Sequence, residues 1–174
     1  MESSSLTYLY TLAALSITFV GFSALVIILR QTLGGEMSKL DILITRIFIQ
    51  LGFLVAAGAM LPPLLRLFPL SDGVVWRVSS MAVGIPCLLF ACTYPSRRQA
   101  ASGVRTPLVI WIDVLIMFAL SVLLLSDGAG LLGSGAAGAF AVGLTGILFV
   151  SGWAYLQALN TLLRHNRSHI APPH

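Results

Sequence analysis

Histidine and lysine are nearly absent from the apolar parts of this chain. The three histidines, His165, His169 and His174, fall in the last ten of its 174 residues. No apolar segment therefore carries the ligands of a bis-histidine haem or the base of a membrane-embedded serine–histidine protease. Lysine occurs once, at Lys39 between two apolar segments, so a retinal Schiff base within a span has no anchor. Two cysteines are present, Cys87 and Cys92. Their spacing is not that of a Cys-x-x-Cys pair, and on a helix they face different directions, so no bridge between them is expected.

Carboxylates are equally thin. The one acid read within an apolar segment, Asp113, is one short of a two-aspartate protease. Asp41 and Asp72 are expected at opposite faces and do not cluster around a divalent cation, and no Walker-type phosphate loop occurs. His165 and His169 are four apart, as a shared metal on a helix requires, but they have no carboxylate or thiolate partner, and adventitious binding is the better reading. The inventory predicts no catalytic residues, no cofactor and no designed metal site.

Charge is the other shortage. Only 9% of residues are charged and 57% are hydrophobic, against roughly 25% charged in a soluble domain. No soluble core of this size hides so much apolar surface, which leaves a polytopic membrane protein. A hydrocarbon layer of about 30 Å takes ~20 helical residues per crossing. Five stretches meet that length, at 6–29, 42–65, 74–94, 107–125 and 137–158, and leave no room for a soluble domain. The predicted fold class is an all-α integral membrane protein, a bundle of five transmembrane helices occupying 1–164, with 165–174 a short cytoplasmic tail.

Local signals mark the boundaries. No Lys or Arg precedes the first stretch, and its length exceeds a signal-peptide core, so it reads as a retained span. Tyr8 and Tyr10 suit an interface near its start. Gly34-Gly35 is expected to break the first helix, and Ser38 or Asp41 to cap the second. Pro62-Pro63 predicts a kink or an end to the second helix, FPLSDG at 68–73 a turn, and Pro95 the end of the third. Within the third, Pro86 removes a backbone donor near the midpoint and predicts a kink. Ser126-Asp127-Gly128 reads as the exit of the fourth.

The basic residues set an orientation. With the amino terminus outside, Arg30, Lys39, Arg97, Arg98, Arg105, Arg164 and Arg167 lie in the cytoplasm and Arg66 and Arg77 outside, which satisfies the positive-inside rule. The net charge of +4 is then concentrated at the inner face. Its simplest partner is a layer of anionic headgroups. No aromatic-interleaved basic groove supports a nucleic-acid partner.

Two charged residues inside spans are the candidate site, because Asp or Arg near a helix centre costs ~2.5–3.5 kcal/mol on insertion scales. Arg46 and Asp113 each lie roughly 7–9 Å below the inner interface at 1.5 Å per residue. Their matched depth predicts an interhelical ion pair, with Gln50 one turn from Arg46 on the same face. The competing reading has Arg46 snorkelling to the headgroups and Asp113 hydrated. Small residues mark close helix approach: Gly135, Ala139 and Gly143 at four-residue spacing, Gly138 and Gly146 on a neighbouring face, and Gly52 with Ala56 in the second span. Their spacing suits internal packing or a homo-oligomer alike. Trp153, Tyr155, Gln157, Asn160 and Thr161 read as interface anchors and interhelical hydrogen-bonding groups.

In type, and not by any motif, the chain resembles small bacterial inner-membrane proteins. The expected role is non-enzymatic: a structural or accessory subunit that self-associates or joins a larger membrane complex. The alternative is a small oligomeric transporter or channel using Asp113 and Arg46.

Overall fold

The computed structural model describes residues 2–32, 39–103, 107–132 and 137–170, with side chains excepted at 2, 3, 30, 31, 41 and 158–170. Among these residues are five helices: α1 (Glu2–Thr32), α2 (Lys39–Leu65), α3 (Asp72–Ser102), α4 (Leu108–Gly128) and α5 (Ala137–Ile170). All five are long and apolar enough to cross a membrane. The Gly34-Gly35 break, the Ser38 cap and Arg105 lie outside the described residues, as do Gly135 and the side chains of Arg30, Asp41, Asn160, Thr161, Arg164, His165, Arg167 and His169.

Helices α2, α3 and α5 form the centre, and α1 and α4 flank it. α2 packs against α1, α3 and α5, while α4 packs against α3 and α5. Val55, Val83, Cys87, Leu144 and Ile147 meet in the core, each 0–1% exposed. α4 shows most clearly what solvent the fold suits. Its apolar window has a mean hydropathy of 2.8, yet only 17% of it is buried. Leu108, Trp111 and Leu115 face outward. An apolar exterior that continuous is unstable against water and fits hydrocarbon. By length and composition all five helices are consistent with membrane spans.

Serines let the helices approach closely without orphaned hydroxyls. Ser16, Ser79, Ser121 and Ser151 are buried, and each donates to the carbonyl one turn back, Leu12, Val75, Met117 and Ile147, at 2.7–2.8 Å. Midway along α5, the Tyr155 ring meets Phe48 at 4.7 Å and Phe19 at 5.9 Å. Tyr155 is 6% exposed. It is thus a core residue and not the interface anchor expected, whereas Trp153 of the same helix faces outward.

Pro95 does not end its helix, as its position suggested it would. α2 runs through Pro62 and Pro63 to Leu65, and the Arg66 N–H still reaches the Pro62 carbonyl at 3.1 Å. α3 runs through Pro86 and Pro95 to Ser102, where the expected end was residue 94. A proline inside a helix removes one donor, and nearby hydroxyls can bind the local carbonyls. Thr93 donates to Leu89 O at 2.8 Å and Ser96 to Thr93 O at 2.8 Å, beside Pro95 but not at Ala91 O, the carbonyl that its missing N–H leaves free. The helix stops instead at Gly103, whose φ of 65° is left-handed and whose N–H bonds Gln99 O at 2.9 Å. α5 continues past residue 158, the expected end of its span, to Ile170, so His165 and His169 lie on a helix.

Candidate functional site

The end of the bundle that gathers most of the basic residues encloses a cavity of about 370 Å³. Its walls come from the first half of α2 and α4, the second half of α3 and the middle of α5. Helical periodicity supplies each wall. Phe90, Tyr94 and Arg98 recur every four residues on α3, and Ile110, Asp113 and Met117 share one face of α4. Ile44, Phe48 and Leu51 line the α2 side.

Five polar side chains line this apolar space: Tyr94, Arg98, Asp113, Ser151 and Gln157. Arg98 is half-buried, and its Nε and Nη1 are fully buried without a hydrogen-bond partner. A buried, unsatisfied donor costs about 1–3 kcal/mol, and more when charged. Asp113 is half-buried on the facing helix. The Tyr94 side chain lies within electrostatic range of both Arg98 and Asp113. Arg98 and Asp113 both line the cavity, and no ion pair joins them.

The pairing of Arg46 with Asp113 is not formed either. Arg46 and Gln50 are both exposed on the outer face of α2, as their four-residue spacing dictates, and that face does not line the cavity. Equal depth did not bring them together because the α2 face turned toward the cavity is the one carrying Ile44, Phe48 and Leu51. Arg46 has the placement of a snorkelling residue.

Among the small residues, Gly143 and Gly146 abut Leu124 and Leu120 of α4: a Cβ on Gly143 would stand 2.6 Å from Leu124 Cδ2, and one on Gly146 2.8 Å from Leu120 Cδ1. Gly52 abuts Val20 of α1, and Ala56 is buried on the same helix. Ala139 is half-buried. Gly138 faces open space beside a groove between α1 and α5. Gly52, Gly143 and Gly146 thus make close helix contacts within the chain, and Gly138 does not.

The opposite end holds a polar cluster that sequence reasoning missed. α4 continues past its expected exit, and Asp127 is 1% exposed with its Oδ2 accepting a 2.7 Å hydrogen bond from Ser80 Oγ on α3. The helix then closes with the Leu131 N–H on Ser126 O and the Gly130 N–H on Asp127 O, Gly130 having a φ of 80°. This is a Schellman end. The Arg77 guanidinium lies against Gly130, where a cation favours the helix carboxyl terminus. Arg66 bridges to Asp72 at 3.2 Å and stands 5.6 Å over the Trp76 ring.

Fold and cavity together define a bundle of five helices long and apolar enough to span a membrane, with a largely apolar pocket carrying charged groups at its basic end. Comparison with protein-family models, with curated proteins and with solved structures finds no match to this chain.

Proposed function

We propose that this protein is a non-enzymatic, accessory-type component of the bacterial inner membrane that holds an amphiphile by its anionic group in the cavity between α2, α3, α4 and α5. The carrying observation is Arg98, whose Nε and Nη1 are buried at an apolar cavity with nothing to bond. An anionic oxygen in the cavity meets the guanidinium charge, and gains charge-assisted hydrogen bonds once the side chain turns its covered Nε and Nη1 toward it. Apolar walls around a few convergent polar groups are the usual composition of a binding pocket, and the volume falls within the usual range. In this reading the amino terminus is outside and the carboxyl terminus in the cytoplasm, so the cavity lies in the inner leaflet. Reporter tags at Met1 and His174 in opposite compartments are the expected topology, and tags in one compartment would overturn it.

The site is tested by lipid retention. The protein is exchanged into nanodiscs of equal phosphatidylethanolamine and phosphatidylglycerol, extracted in mild detergent, washed and weighed intact. About one phospholipid per chain is expected on the wild type and on Arg97→Gln, which changes an exposed neighbour, and none on Arg98→Gln. Equal retention by Arg98→Gln and wild type, with helicity unchanged, would remove the proposal.

A further inference from the structure

The cavity has two charges of opposite sign, and they do not satisfy each other. Arg98 and Asp113 both line it, on α3 and α4, without forming an ion pair. A purely anionic occupant satisfies Arg98 but places its charge beside the Asp113 carboxylate, a like-charge contact made worse by apolar walls. A purely cationic occupant has the mirror problem. One kind of molecule meets both groups at once, a dipolar one with an anionic oxygen for Arg98 and an ammonium for Asp113.

The depth of the lining gives the rest of that molecule. The cavity runs from Leu40 and Pro107, at the starts of α2 and α4, inward to Leu51 and Met117. On α2 that is about 16 Å at 1.5 Å per residue. Arg98 stands four residues before the end of α3 and Asp113 five residues after the start of α4, so both charges belong to the shallow part. Phe48, Leu51 and Met117 wall the deeper part and carry no charge. A head at the membrane boundary and a tail toward the midplane is the posture of a lipid in the adjoining leaflet. The volume of 370 Å³ equals roughly a dozen waters of liquid, which is room for a headgroup and the first part of its chains.

We infer that the pocket selects a zwitterionic phospholipid with a primary ammonium headgroup, its phosphate on Arg98 and its ammonium on Asp113. This rests on the binding reading above and adds the selectivity. A primary ammonium donates hydrogen bonds to a carboxylate, so Asp113 supplies discrimination and Arg98 supplies retention.

The same nanodisc experiment separates the two claims when the retained lipid is identified. Wild-type protein is expected to retain phosphatidylethanolamine over phosphatidylglycerol by about tenfold or more, the value of one charge-assisted hydrogen bond. Asp113→Asn is expected to keep its bound phospholipid and lose that preference, whereas Arg98→Gln loses phospholipid of both kinds. Soluble glycerophosphoethanolamine in excess is expected not to displace the lipid, since it has no chains for the deep wall. Equal retention of the two lipids by the wild type, or an unchanged preference in Asp113→Asn, overturns the selectivity and leaves retention standing. Displacement by the soluble headgroup overturns the lipid as occupant. Loss of retention in every variant, Arg97→Gln included, would overturn the assignment of separate roles to the two residues.

Discussion

Ser80 and Asp127 lock α3 to α4 through a 2.7 Å hydrogen bond at a carboxyl group that is 1% exposed. Ser80→Ala removes the donor and leaves the buried acceptor short of one partner, so unfolding free energy is expected to fall by about 1–3 kcal/mol. Asp127→Asn keeps an acceptor for the hydroxyl and is expected to lose less than Asp127→Leu, which strands Ser80 as well. Reversible unfolding in mixed detergent micelles measures both. A Ser80→Ala protein as stable as the wild type would show that the bond contributes nothing net.

Why this contact escaped sequence reasoning is instructive. An acid followed by glycine at the end of an apolar run is a turn signal, and the turn is present, at Gly130 with its φ of 80°. It begins one helical turn later than expected. The five helices themselves were legible because apolar length dominates every other signal in lipid. Half of the site was legible too: Asp113 stood out as a charge at depth. Its neighbour did not, since ending α3 at Pro95 cast Arg98 into a loop. Carrying the Phe90–Tyr94–Arg98 spacing through the proline would have placed that arginine on the cavity wall. Arg46 misled for a different reason: depth is readable from a sequence, but the rotation of a helix about its axis depends on which face its neighbours cover.

The glycines of α5 form a graded series. Gly143 faces Leu124, which is 0% exposed and has no room to yield, so Gly143→Ala is expected to cost about 1–3 kcal/mol through overpacking. Gly146 faces the terminal atoms of the half-buried Leu120, and the same substitution there is expected to cost less. Gly138 has nothing within 4 Å, and Gly138→Ala is expected to be neutral or stabilising, as alanine is the better helix former. If Gly138→Ala proved the most damaging of the three, that face would be covered by another chain in the membrane.

Arg46 and Asp113 supply the most direct check on the placement of charge. They sit on different helices, one exposed and one at the cavity, with no ion pair between them. Residues that share no partner contribute independently, so the stabilities of Arg46→Gln and Asp113→Asn are expected to add in the double variant to within about 0.5 kcal/mol. Lipid selectivity should divide the same two residues differently. Arg46→Gln removes a cation that reaches the headgroup layer from the outer face of α2, and the preference for phosphatidylethanolamine should survive it. Asp113→Asn removes the group facing the pocket, and the preference should go. A coupling well above 0.5 kcal/mol, together with a selectivity that follows Arg46, would mean that α2 is rotated to turn that arginine inward, and the cavity described between α2 and α4 would be a different one.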